Sequence, residues 1–196
     1  MKRLIVLIVA SVLVAGLWRS SVNIHGFQSK PTKHNTLFTD GRVVPPTLRQ
    51  MHAQADAVVK AIVNDGHSDD FFAASDAAAP LVATVYDVTV EEVLKPDSRI
   101  APGSVVPVWR IGGERDKGDH IELTDEDDFP LFKSGDEYVL FLKWKESRRA
   151  FEIVGGPNGA FRLTADHVDS SGTSAVAKQE KGVRVDDFLN KLRTIR

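Results

Sequence analysis

From Leu81 to Leu94 the chain alternates with period two: Val82, Thr84, Tyr86, Val88 and Val90 fall on one side, and Ala83, Val85, Asp87, Thr89 and Glu91 on the other. Successive side chains of a strand point to opposite faces, so this run predicts one strand with a core face and a wet face, long enough to bend or bulge. A helix would scatter the same residues around its circumference. Such a strand needs partners on both edges, and the neighbouring segments supply them.

Ala57 to Val63 predicts a first strand, with Asn64-Asp65-Gly66 turning the chain after it. Ser68 to Ala79 is acidic and alanine-rich and reads as a loop, with a short helix as the alternative. Pro102-Gly103 is a turn, and Val105 to Ile111 is a third strand ended by Gly112-Gly113, part of it assigned to a sheet edge by Pro107. Asp136 to Trp144 is apolar on both faces, Tyr138, Leu140 and Leu142 on one and Val139 and Phe141 on the other, as a central strand requires. Phe151 to Val154 and Ala160 to Leu163 read as a final pair around Gly155-Gly156-Pro157-Asn158-Gly159.

Thr47 is placed to cap a short helix over Leu48 to Ala55, and Asp186 to cap a C-terminal helix with Phe188, Leu189, Leu192 and Ile195 on one face. The expected fold class is mainly β: a small five- to six-stranded antiparallel OB-like barrel, residues 47–165, with a short helix before it. Residues 166–196 form a polar linker and the C-terminal helix.

Ahead of this domain, Lys2 and Arg3 precede an apolar run from Leu4 to Leu17, the pattern of a secretory signal. A run of about 14 residues spans about 21 Å as a helix, short of the roughly 30 Å hydrocarbon core. Val14-Ala15-Gly16 offers a cleavage site, and Trp18 at headgroup level offers an anchor instead. Residues 1–18 are therefore expected to be a signal peptide or signal anchor, and residues 19–46, ending in Pro45-Pro46, a flexible spacer. Both alternatives put the domain outside the cytoplasm, held by one N-terminal helix or secreted after cleavage.

The chain has no cysteine, which excludes disulfides, thiolate metal sites and a thiol nucleophile. Its net charge of -2, with no basic block, argues against nucleic acid as a partner. The expected partners are the membrane, through the N-terminal segment if uncleaved, and an envelope protein or glycan.

Four segments taken together resemble exported bacterial domains with a netrin-like, OB-type barrel: Val88-Thr89-Val90-Glu91-Glu92-Val93-Leu94-Lys95, Pro102-Gly103, the run from Phe132 to Leu142, and the run from Val154 to Arg162. The resemblance covers about Leu48 to Leu163 and rests on barrel residues. The netrin-like group includes the inhibitory domains of tissue metalloproteinase inhibitors, which act through an N-terminal cysteine that chelates zinc. This chain has no cysteine, so the resemblance implies fold and not that mechanism.

Glu114 to Asp128 concentrates carboxylates around His120 and reads as a long charged loop. Solvated charge is the first reading; Ca²⁺ is the ligand the loop would take if Asp116, Asp119, His120, Glu122 and Asp125 converged, although the spacing fits no EF-hand. Trp109 and Trp144 are candidate ligand platforms as well as core residues, and Lys143 and Lys145, with Arg148 and Arg149, flank Trp144 as a small basic patch suited to anionic headgroups or a glycan. No Gly-x-Ser-x-Gly elbow surrounds Ser134, Ser170 or Ser171. The expected function is a non-enzymatic binding or interaction module exposed outside the cytoplasmic membrane. The alternative is a small exported hydrolase or metal-dependent enzyme using the acidic loop 114–128.

Overall fold

A computed structural model describes residues 30–37, 44–45, 47–71, 81–126 and 129–195. The signal or anchor segment 1–18, most of the spacer, and the greater part of the alanine-rich 68–79 stretch lie outside the described residues. Among the described residues no helix is long and apolar enough to cross a membrane.

The chain is mainly β. Its elements are β1 (Thr32–Leu37), α1 (Leu48–Gln54), β2 (Ala57–Phe71), β3 (Leu81–Lys95), β4 (Val105–Ile111), β5 (Gly113–Asp116), β6 (Ile121–Glu126), β7 (Glu137–Lys145), β8 (Ala150–Ile153), β9 (Ala160–Leu163), β10 (Val168–Asp169), α2 (Ala175–Glu180) and α3 (Val185–Thr194). The main sheet runs β10-β9-β7-β2-β3-β4-β8, and a further pairing of β7 with β8 closes β7, β2, β3, β4 and β8 into a five-strand ring. The pairings within the ring are antiparallel except β4 with β8, which is parallel. Parallel pairing departs from the all-antiparallel expectation.

Strand alternation sorts the side chains into three apolar groups. Val59, Ala61 and Val63 of β2, Tyr86, Val88 and Val90 of β3, Val106 and Val108 of β4, and Leu140 and Leu142 of β7 fill the ring. The opposite face of β7 and β9 meets the helices: Val139, Phe141, Phe161 and Leu163 pack with Leu48 and Met51 of α1, Val176 of α2, and Phe188, Leu189 and Leu192 of α3. Phe161 joins this layer, its ring centroid 5.8 Å from Phe141 and 5.0 Å from Phe188. Ala83, Trp109 and Ala150 form a third, smaller group, with Val85 and Ile111 against it.

Several local expectations are revised. Asn64-Asp65-Gly66 does not turn the chain; β2 continues through a register shift between Val63 and Gly66 and includes Ser68 to Phe71, so the start of the expected loop is strand. Gly66 is required at this irregularity because a Cβ there would lie 2.7 Å from the Tyr86 ring. Within the expected spacer, β1 pairs in parallel with β6, and the expected charged loop 114–128 is largely the β5–β6 hairpin, which forms a separate three-stranded sheet with β1. The final two strands do not pair with each other: β8 pairs with Leu142–Lys145 and β9 with Glu137–Leu140, so they partner β7 in succession. Thr47 does cap α1, accepting from the Gln50 N–H at 3.2 Å, whereas α3 starts at an N-cap of Arg184 that makes no side-chain bond, with Asp186 and Asp187 in the first turn. Carboxylates there still favour the positive end of the helix dipole. The stretch read as polar linker holds β10 and α2.

Phe188 is fully buried where α3 meets the sheet. Phe188→Ala is expected to lower stability by about 3–5 kcal/mol in chemical denaturation; a loss below about 1 kcal/mol would show that α3 is not part of the cooperative core. His52 on α1 is buried, its Nε2 has no hydrogen-bond partner, and burial, with the Lys95 ammonium nearby, holds its pKa below the usual imidazole value. The unfolded chain then binds the proton more readily, so stability is complete above about pH 6.5 and falls as the pH drops from there toward the lower folded value. Denaturation midpoints of wild type and His52→Gln measured across pH 5 to 7.5 are expected to converge on acidification, and parallel curves would rule out this source of acid sensitivity.

Candidate functional site

The helices cover one outer wall of the ring, over β2, β7 and the end of β3, together with the adjoining β9. The wall formed by β3, β4, β8 and the end of β7 has no helix in its apolar group. Because alternate residues face out, this wall carries Ala83 and Val85 of β3, Val105, Pro107, Trp109 and Ile111 of β4, Ala150 and Glu152 of β8, and Lys143 and Lys145 of β7. Val105 is 56% exposed, the one large apolar side chain in that state among the described residues.

Register makes the wall continuous. Glu152 is paired with Trp109 of β4 on one side and with Lys143 of β7 on the other. Its carboxylate lies 3.2 Å from the Lys145 ammonium and 3.5 Å from the Arg148 guanidinium. Arg148 comes from the turn between β7 and β8 and lies over Trp109, 3.6 Å from the ring centroid. A cation held against an indole face gains from the ring quadrupole and from packing of its flat guanidinium. Trp109 is thus sandwiched between sheet and arginine and is only 7% exposed. Beyond Glu152 the surface dips into a cleft of about 220 Å³ lined by Gln54, Lys143, Lys145, Glu152, Gly155 and Gly156.

Of the four ligand-binding candidates drawn from the sequence, the structure gathers Trp109, Lys143 and Lys145 on this wall and separates Trp144. Trp144 points to the inner side of the ring, its centroid 5.0 Å from Phe151, with the Arg99 guanidinium 5.2 Å from its ring and its Nε1 donating to Glu146 at 2.6 Å. From the sequence the Gly155-Gly156 pair is only a turn, and neither Glu152 nor Gln54 is marked as a site residue. The alternation of Val105, Pro107, Trp109 and Ile111 was the available signal for an apolar outer face; the Arg148 contact has no counterpart in sequence spacing.

The candidate metal ligands do not converge. Asp116 accepts from Lys30 at 2.6 Å, Asp119 from the His120 Nδ1–H at 2.6 Å, Asp125 from Thr36 at 3.3 Å, and Glu122 lies 3.5 Å from Lys117. Lys30 and His120 hold the Asp116 and Asp119 carboxyls below their usual range. Among the described residues no group of three or more His, Cys, Asp or Glu is placed to hold a metal ion. The reason is the hairpin: strand alternation sends neighbouring carboxylates to opposite faces, where a loop would have let them turn inward together. Glu114 and Asp125 instead reach a separate cleft of about 490 Å³ between the hairpin and the ring, with Ser68, Thr84, Tyr86 and Lys133. Burial raises the Tyr86 pKa there, and lifts that of Tyr138 nearby to about 12, so both phenols stay protonated at neutral pH.

The chain matches no model of a known protein family, and comparison with curated proteins gives no match. The reading of the site therefore rests on its geometry.

One residue of the wall is backbone-strained. Arg149, at the tip of the β7–β8 turn, is the only described non-glycine residue with positive φ, at φ 49° and ψ 38°. Arg149→Gly is expected to raise stability by about 0.5–1 kcal/mol in urea denaturation. An unchanged or lower stability would mean that the arginine side chain holds the turn together, not merely that it is tolerated.

Proposed function

We propose that this protein is a non-enzymatic binding module of OB type, displayed outside the cytoplasmic membrane, which engages its ligand on the helix-free wall of its β-ring. In ring order β7-β2-β3-β4 the fourth strand returns to lie beside the first, a Greek key, and β8 closes the gap between β4 and β7. OB-type barrels bind ligands on the face of their second and third strands and on the loop joining the fourth to the fifth. In this ring those parts are β3, β4 and the 146–149 turn. Two of the four segments behind the netrin-like resemblance, Val88 to Lys95 and the greater part of the run from Phe132 to Leu142, lie in β3 and β7. Lys2, Arg3 and the apolar run after them support the extracytoplasmic location.

The observation that carries this reading is the Trp109–Arg148 pair on the same outward face of β4 as the exposed Val105, four residues along the strand. An aromatic anchor under an arginine, on one face with uncovered apolar surface, is the composition typical of recognition surfaces. The full-length chain, probed on an array of envelope oligosaccharides and peptides, is expected to bind at least one class. The double variant Val105→Asp/Arg148→Glu is expected to bind at least tenfold more weakly, and Val105→Asp alone, which removes no contact of Trp109, several-fold more weakly. Absence of binding, or binding indifferent to both changes, would sink the proposal.

A further inference from the structure

Lys143 and Lys145 stand two residues apart on the outward face of β7, about 7 Å along the strand. That spacing lets two ammonium groups straddle one tetrahedral oxyanion, each donating to a different oxygen. The charge around the cleft is unbalanced. Of the residues lining it, Lys143 and Lys145 supply two positive charges and Glu152 one negative, an excess of one, and Glu152 is already shared between Lys145 and Arg148, which lies over Trp109. Lys143 makes no ion pair among the described residues. The Gly155-Gly156 turn, both residues at positive φ, lines the cleft beside Ile153 and Val154.

We infer that this cleft is a subsite for a phosphate monoester, whose near-double negative charge at neutral pH is drawn by the positive excess and whose oxygens suit two lysines. The inference rests on the ligand-binding reading of the wall and names the chemistry of one part of the ligand. Lysine is suited to this task as a compact, mobile point charge, while Arg148 stays committed to Trp109 and Glu152. The monoester could be carried by a soluble sugar phosphate or by the headgroup of phosphatidic acid, and both present the same group to the two lysines.

The full chain in neutral detergent micelles is titrated with glucose 6-phosphate and, separately, with dihexanoyl phosphatidic acid, following the backbone amides of Gly155 and Gly156 by NMR. Saturable shifts are expected with at least one of them: with the lipid alone if the source is a headgroup, with the sugar phosphate as well if it is soluble. Glucose and glucose 6-sulfate are expected to bind at least tenfold more weakly. Lys143→Ala, which breaks no ion pair, and Lys143→Ala/Lys145→Ala are expected to weaken binding progressively, by tenfold or more in the double variant, with thermal melting unchanged in the single variant. No saturable shift with either phosphate, equal binding of the sulfate, or affinity unmoved by both variants would overturn the inference. If an array ligand is still lost on Val105→Asp/Arg148→Glu in that event, the wall remains a binding surface and only its phosphate subsite is excluded.

Discussion

The structure depends on β7 being apolar on both faces. Its inward residues Tyr138, Leu140 and Leu142 help fill the ring, while Val139 and Phe141 on the other face carry the helix layer, and Val139 to Leu142 are all fully buried. The strand also has partners along both edges, β2 on one and β8 followed by β9 on the other. Two cores therefore meet at one strand, and at about 1.5–3 kcal/mol per fully buried large apolar side chain no other strand contributes to both so evenly. At Lys143 the outward face turns polar, and there the helix layer ends.

That change in β7 determines where the candidate site lies. The helices follow the apolar outward residues of β7 and β9, leaving the wall of β3, β4 and β8 to be finished by side chains alone. Arg148 does part of this finishing by covering Trp109. On the inner side of the ring, Arg99 lies against Trp144, and the buried Arg110 lies 3.8 Å from the Phe129 ring centroid and donates to the backbone carbonyls of Phe129 and Pro130. A guanidinium suits such positions because it is flat enough to stack and its N–H groups still find carbonyl and carboxylate acceptors at the edge. The Arg148 charge on the wall is thus partly a consequence of how this fold shields Trp109.

The strands with strong period-two alternation were legible in the sequence, β3 and β7 above all, because burial on one or both faces writes itself directly into residue choice. The C-terminal helix was legible for the same reason at helical period. The β5–β6 hairpin was not, since Glu114, Arg115, Asp116, Glu122 and Asp125 are poor strand formers, and their pairing depends on β1 and on the turn at Lys117 to His120. Nor was the arrangement of β8 and β9. Two short strands around a glycine-rich turn look like a hairpin from local sequence alone, yet here both extend along β7, which offers each a longer apolar edge than they offer one another.

By itself the sequence determined that the chain builds a mainly β domain, that one strand is buried on both faces, that an amphipathic helix follows, and that no thiol chemistry is available. These are statements about which side chains avoid water, and periodicity records them locally. Tertiary structure alone decided that Trp109 joins Lys143 and Lys145 while Trp144 leaves them, and that the carboxylates of 114–126 disperse along a hairpin. Those outcomes depend on strand register and closure of the ring, which bring together residues more than 30 positions apart in the chain. Register is set by the summed packing of the whole sheet, so no single segment carries it.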